Sequence, residues 1–581
     1  MARRRGQWSV LVVNSVVAFT VLVLVAVLAL VVKPPAPPGI AAFAPQANKP
    51  ITKAPLAQSA RFGNGAGQCG AGQVCSGPSA SPTAGASPPP GVKPVPSATP
   101  VRGVPSALQC YTWPDGSVTQ TFDPQSPPCI ATWDDTKSNG GATSLGVTAT
   151  EIRVALPKAS ANSTWPGLSP LVDFVNSHFQ LYGRKIHIVT FNSKQDDEQF
   201  QGTFDDPVAQ KADGAQVPAL KVFASFDFVD PLNYSMSLQV FRDQLTNHRI
   251  ISLAGGDTTP AGTATDLEKH APYEWTYYPT TDVVLKNVAM MTCRELVGHM
   301  AVHAGDATLH GRPRKFAIVI PTDALIGGPL PGLSAMQGIL KACGVSDVPV
   351  IRYDYAAANR GALAADFQNL SKEGVTSVIF LPQAGNTTSG PLASASQVGY
   401  HPEWVVVGTH KFLTDNMSYN QDETKGAFGV GTWNKMPQLA QEMWVQAYLA
   451  AGGRQGDIDA SMLPSGRPFY NELLLLASGI QMAGPHLTPA SFAAGLQATT
   501  FPNPGAGAAP SFQASVGFTP GDVTMVDDLN AFWMSQEMSG TDVADSTDNN
   551  TEKATCYVGR GRRFSLESWP TTDTFYEGAC R

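Results

Sequence analysis

The stretch Ala254-Gly-Gly-Asp-Thr-Thr-Pro260 packs two glycines, a carboxylate and two hydroxyls into seven residues, directly after the run Arg249–Leu253. Such a set suits non-covalent capture of a small polar group. Gly255 and Gly256 let backbone N–H groups come close to a ligand, and the Thr258 and Thr259 hydroxyls can donate or accept. Ala254 opens the loop and Asp257 supplies its only charge. The same residues also suit an ordinary strand-to-helix turn capped by Asp257 or Thr258. Similar short polar sets follow other apolar runs: Ser225 and Asp227 in Ser225-Phe-Asp-Phe228, Thr322 with Asp323, Gln383 in Pro382-Gln-Ala384, and Thr409 with His410. Tyr277 and Tyr278 add aromatic surface that could wall a cleft, although adjacent Tyr residues are more often core groups with one satisfied hydroxyl.

Covalent chemistry finds no support in the residue patterns. The chain has no Gly-x-Ser-x-Gly nucleophile elbow, no phosphate-cradling loop ending in Gly-Lys-Ser/Thr and no His-Glu-x-x-His zinc motif, so it is read as a non-enzyme without a cofactor. His410 stands alone near a strand end, where a hydrogen-bonded surface or cleft residue is the better reading than a metal ligand. Asp542, Asp545 and Asp548 lack the Gly and terminal Glu of a calcium loop and read as a solvated polar stretch. Charged residues make up only 15% of the chain, the net charge is −7, and no basic stripe alternates with aromatics. Nucleic acid is therefore not an expected partner.

Elements that alternate between strand and helix must position these loops. Runs at Ile152–Leu156, Ile186–Phe191, Leu220–Ala224, Arg249–Leu253, Lys315–Ile320, Val348–Tyr353, Ser377–Leu381 and Trp404–Val407 predict strands. A helix is predicted after Thr281-Asp282, with Leu285, Ala289, Cys293, Leu296 and Met300 on one face, and another near Leu333–Cys343. Tyr470–Gly484 and Leu487–Leu496 read as a helix pair turning at Ala483-Gly484-Pro485. The alternation predicts parallel α/β units, and 581 residues predict more than one folded core.

Outside these units the chain changes character. Ser9–Val32 is almost wholly apolar behind Arg3-Arg4-Arg5, and as a helix it would span about 36 Å, enough to cross a bilayer. The positive flank places residues 1–8 in the cytoplasm and the rest outside the cell membrane. A cleaved signal peptide is the alternative to this anchor, but its apolar core usually runs only about 7 to 15 residues. No Cys follows the run closely, which leaves no lipoprotein anchor. Residues 33–105, rich in Pro, Ala, Gly and Ser, predict an extended stalk. Eight cysteines beyond the apolar run suit an oxidising compartment. Pairing of neighbours gives Cys69–Cys75, Cys110–Cys129, Cys293–Cys343 and Cys556–Cys580. Zinc is the competing use, but no Cys-x-x-Cys pair exists.

Asn139-Gly-Gly-Ala-Thr143 with its following strand, helix and strand to Phe191 resembles the opening of the type I periplasmic binding proteins, in the branched-chain amino-acid branch. Pro272-Tyr-Glu-Trp-Thr-Tyr-Tyr-Pro-Thr-Thr-Asp282, Gly399-Tyr-His-Pro-Glu-Trp-Val-Val-Val-Gly408, the Tyr470–Leu496 helix pair and Trp569-Pro570 extend the resemblance over residues 106–581. The resemblance implies a two-lobed α/β fold with parallel sheets and crossover hinge strands, here preceded by one transmembrane helix. It implies a lead-in at 106–145, lobe 1 at 146–281 with a return segment near 411–520, and lobe 2 at 282–410 with a C-terminal segment near 521–581. It also implies that the 254–260 loop grips a ligand carboxylate, that Ser225 adds a contact, and that Thr322 and Asp323 face the cleft from the other lobe.

The implied role is capture of a small solute for an ABC-type permease, with a ligand-sensing receptor or surface interaction protein as the alternative. The departures limit the ligand. The second-lobe Tyr residues of the family are missing, and Gly408-Thr409-His410 stands where an acidic residue pairs with an amino acid's ammonium group. A His cannot serve as that counter-ion, so an α-amino acid is not the expected ligand.

Overall fold

The computed structural model describes residues 110–158, 165–193, 207–226, 239–253, 264–322, 330, 332–353, 360–381, 390–408, 423, 427–431, 442–458, 463–504, 514–534, 555–557 and 563–569. The apolar run Ser9–Val32 and the stalk lie outside them, as do Cys69 and Cys75. Among the described residues no helix is long and apolar enough to cross a membrane.

The chain first forms a small ribbon, β1 (Tyr111–Thr112) against β2 (Val118–Thr119). A parallel sheet follows from β3 (Glu151–Lys158), β4 (Lys185–Asn192), β5 (Ala224–Phe226), β6 (Ile251–Leu253) and β7 (Glu274–Trp275), in the order β4-β3-β5-β6-β7. Helices α1 (Ser169–His178), α2 (Pro207–Gln216), α3 (Gln239–Asn247) and α4 (Ala264–Lys269) join these strands. Helix α5 (Thr281–Met291) then leads into a second sheet. Its strands β8 (Phe316–Pro321), β9 (Val350–Tyr353), β10 (Ser377–Phe380), β11 (Glu403–Gly408) and β12 (Phe428–Gly431) run parallel in the order β9-β8-β10-β11-β12. They are connected by α6 (Leu333–Ala342), α7 (Arg360–Lys372) and α8 (Pro391–Gln397). The two sheets thus share one strand order, 2-1-3-4-5 when each is counted from its own first strand.

After β12 the chain returns to the first lobe as α9 (Met443–Ala450), α10 (Leu463–Ala483) and α11 (Pro489–Gln497). Helix α10 is apolar on nearly every side from Leu473 to Ala477 because it is enclosed, sharing one core with α1, α9, α11 and the first sheet. Gly484 takes a φ of +80°, which ends α10, and Thr488 starts α11 with a capping box to Ser491. The chain then crosses back and adds β13 (Asp528–Met534) antiparallel to β12, with β14 (Thr555–Tyr557) and β15 (Arg563–Ser565) antiparallel to β13.

Several boundaries differ from the sequence-based expectation, each for a local reason. The strand expected at Leu220–Ala224 begins only at Ala224, because Val217–Leu220 forms a 3-10 turn that Lys221 closes at a φ of +51°. The helix expected to run through Met300 stops at Met291. One π turn over Thr292–Leu296 follows, then Gly298 at a φ of +83°, and Met300 is 52% exposed rather than inward-facing. The return to lobe 1, expected near 411, comes after Gly431, because β12 pairs with β11 and keeps that stretch in the second sheet. Two of the expected disulfides are formed: Cys110–Cys129 closes the lead-in, and Cys293–Cys343 joins the π turn to the end of α6 with Cα atoms 5.8 Å apart. Cys556 lies in β14, and its expected partner Cys580 lies outside the described residues.

Candidate functional site

In an open parallel sheet, ligands settle beyond the carboxyl ends of the strands where the strand order reverses. In the first sheet that reversal falls between β3 and β5, and in the second between β8 and β10. Strand β5 ends at Phe226, immediately before Asp227. Strand β6 ends at Leu253, immediately before the 254–260 loop. In the second sheet β8 ends at Pro321 before Thr322 and Asp323, and β10 ends at Phe380 two residues before Pro382-Gln383. Strand β11 ends at Gly408, followed by Thr409 and His410. Apart from Ser225, the loop residues singled out from the sequence stand in sequence just after a strand's carboxyl end. Asp227, Ala254 to Thr259, Asp323, Gln383, Thr409 and His410 themselves lie outside the described residues.

The described members divide into two kinds. Thr322 sits at the switch point of the second sheet, where its N–H donates to the Tyr353 carbonyl at 2.8 Å. Its Oγ1 is buried and has no hydrogen-bond partner among the described residues. A buried polar atom without a partner is uncommon and points to a group held for something else. Thr280, at the N-cap of α5, is alike: 1% exposed, its hydroxyl neither capping the helix nor bonded elsewhere among the described residues. Sequence reasoning read Thr281-Asp282 as the cap and passed over Thr280, since nothing in the sequence separates a capping hydroxyl from an idle one.

Ser225, Tyr277 and Tyr278 are of the other kind. Ser225 lies within β5 rather than in the loop after it, fully buried, and its hydroxyl donates to the Phe226 carbonyl at 2.9 Å. Tyr277 and Tyr278 leave β7 on the first passage between lobes and are each 5% exposed. The Tyr277 hydroxyl donates to Gln125 Oε1 at 2.7 Å, and its N–H donates to Glu472 at 3.2 Å. The Tyr278 hydroxyl accepts from Asn471 at 3.1 Å. Their rings stack edge to face at 4.9 Å. Burial pushes the Tyr277 hydroxyl well above its ordinary range, helped by nearby Asp123. These groups fasten the first passage to the lead-in and to α10.

The lobes are joined at two described places. Residues 276–281 carry the chain from β7 to α5, and residues 523–528 carry it from the α11 side to β13. The two passages pair with each other: Thr276 N–H donates to Val523 O, Met525 N–H to Thr276 O and Val526 N–H to Tyr277 O, at 2.9 to 3.1 Å. The two lobes thus have equal strand order and are linked by paired strands.

In fold, the chain resembles the type I periplasmic solute-binding proteins. Matching solved structures include an ABC-transporter solute-binding protein from R. palustris in complex with 4-hydroxybenzoate, at 13% identity over 72% of this chain and 98% of that one, with a TM-score of 0.47. They also include a leucine-, isoleucine-, valine-, threonine- and alanine-binding protein from Brucella ovis, at 13% identity over 73% and 98% of the two chains and a TM-score of 0.47. A substrate-binding protein from Desulfitobacterium hafniense in complex with Leu matches at 14% identity over 68% and 99%, with a TM-score of 0.40. No family model matches the sequence, and no curated protein matches it.

Proposed function

We propose that this chain is an extracytoplasmic solute-binding protein, held at the cell membrane by its N-terminal helix, that captures a small polar or amphipathic molecule between two lobes for an ABC-type importer. The observation that carries the reading is the repeated strand order: each sheet presents its switch point at strand ends that carry the candidate hydroxyl, amide and carboxylate groups. The ligand lacks an α-ammonium group, because His410 follows β11 where an acidic counter-ion would be required. Ligand binding selects the closed arrangement, which the permease then recognises.

The test is a thermal-shift screen of the full chain against small carboxylates, aromatic acids, sugars and amino acids. A ligand at about 100 times its Kd stabilises by about 2.7 kcal/mol and raises the melting temperature by several degrees. A broad screen without any shift would overturn the role. With a ligand in hand, Thr322→Val is expected to weaken binding about 5- to 10-fold, the loss of one hydrogen bond, while leaving the melting temperature of the free protein unchanged. The Thr258→Ala, Thr259→Ala double variant is expected to cost more, about 10- to 100-fold. Calorimetric titration reads both, and unaltered affinity removes the corresponding residue from the site.

A further inference from the structure

The segment closed by Cys110–Cys129 is not built like a linker. Thr119, Gln120, Thr121, Asp123, Gln125 and Ser126 are each no more than 4% exposed. Buried polar groups are costly unless they are hydrogen-bonded. Much of this bonding is directed outward, to the rest of the fold. Gln120 Nε2 donates to His178 O at the end of α1 at 2.7 Å, and Pro128 O accepts from Gln481 on α10 at 3.1 Å. Tyr470 on α10 donates to Asp123 Oδ2 at 2.9 Å.

Gln125 is the centre of this arrangement. Its Oε1 accepts from the Tyr277 hydroxyl at 2.7 Å, and its Nε2 donates to Ala514 O at 3.0 Å. Its own N–H is held by Asp123 Oδ1 at 2.8 Å. Tyr277 belongs to the first passage between lobes. Ala514 opens the segment that bridges back on itself at Val516–Val526 and runs into the second described passage. One carboxamide therefore links the first passage to Ala514, whose neighbour Ser515 accepts from the Asp527 N–H at 3.0 Å and donates its N–H to Asp528 Oδ1 at 3.1 Å on the second. A side-chain amide with both ends engaged fixes its rotamer and the spacing of whatever it bonds. The disulfide, with Cys110 wholly buried, holds the loop that presents it.

We propose that the lead-in is a clamp on the hinge, with Gln125 as the positioning residue that couples the two passages and so sets how readily the lobes turn. The proposal rests on reading 276–281 and 523–528 as hinge strands and needs no ligand. Hinges absorb motion in a few backbone torsions, and a strand pinned from the side has fewer of them to use. Loss of the clamp frees those torsions without touching the sheet of lobe 1.

Hydrogen exchange of the full chain followed by mass spectrometry tests it. In Gln125→Ala, amides of 276–278 and 523–526 are expected to exchange at least about 10-fold faster, with β3 and β4 amides unchanged. The Cys110→Ser, Cys129→Ser double variant is expected to give the same pattern, and Gln125→Ala combined with Tyr277→Phe no more than either alone. Tyr277→Phe, which removes only one hydroxyl, is read by itself should Gln125→Ala fail to fold. Unchanged protection at the hinge strands, or an equal rise throughout lobe 1, overturns the proposal. Because the readout involves no ligand, failure of the solute-binding role leaves this result standing, and the reverse holds.

Discussion

Replacing Glu403 with Ala is expected to destabilise the second lobe by about 3–5 kcal/mol, the cost of breaking a buried ion pair by removing one partner. Glu403 opens β11 and is fully buried. It takes Arg314 Nε at 2.8 Å and NH2 at 3.1 Å, Ser377 Oγ at 2.5 Å, and the N–H groups of Val302 and His303 at 2.8 and 2.9 Å. Removing the carboxylate leaves a guanidinium that is 3% exposed facing no anion, and two backbone donors without acceptors. Burial pushes the Glu403 carboxyl up, but the Arg314 hydrogen bond and charge, with Ser377 and His303, bring it net below its ordinary value. A depressed carboxylate contributes stability above its unfolded pKa of about 4.3 and loses it as pH falls through the folded value. Denaturant titration should therefore show a large loss for Glu403→Ala at pH 7 and a smaller one near pH 3. A wild-type-like midpoint at pH 7 would show that the network relaxes at little cost.

The sequence carried the periodic parts of the fold well. Strands such as β8 and β10 are continuous apolar runs because both faces of a parallel sheet are covered, and such runs stand out. Strand β12 did not, since Phe428-Gly-Val-Gly431 reads like a breaker. Gly429 is there because a Cβ would lie 1.9 Å from the Val406 carbonyl oxygen on β11, a contact known only once the strands are paired. The same holds at the hinge. Tyr277 and Tyr278 looked equally suited to wall a cleft or fill a core, and partners 152 and 193 residues away in sequence, Gln125 and Asn471, bind their hydroxyls. Ser225 looked like a loop hydroxyl until the 3-10 turn at Val217–Leu220 moved the strand's start four residues and its end two residues along. Placement of the candidate loops after strand ends was legible from periodicity. Which hydroxyls are used inside the fold and which have no partner among the described residues, as on Thr322 and Thr280, depends on long-range neighbours that no local pattern encodes.

Asp527→Asn is expected to stabilise the protein at pH 8 by about 1–2 kcal/mol and to leave it nearly unchanged near pH 4, after allowance for the solvent the side chain retains. Asp527 lies on the second described passage between lobes. Burial, then the charges of Asp522 and Asp528, push its carboxyl up to about 7. Asp528 pairs with Arg563 Nε at 2.6 Å, and Asp522 accepts from the Thr524 N–H and hydroxyl at 2.9 and 2.8 Å. Asp123, under the other passage, is pushed up to about 6 by burial, against the lowering effect of its Gln125 and Tyr470 hydrogen bonds. A carboxyl whose folded pKa is raised binds a proton more tightly in the folded state. Its contribution is complete below about pH 3.9 and is lost as pH rises through 6 for Asp123 and 7 for Asp527. Glu403 acts in the opposite sense, so stability should peak near about pH 4, fall below it, and decline above it until about pH 7. Urea midpoints measured from pH 4 to 8 check this: the wild-type curve should decline between about pH 4 and 7 and level off above, and the Asp527→Asn curve should decline less. Parallel curves for the two proteins would mean that Asp527 ionises freely and that the alkaline decline has another source.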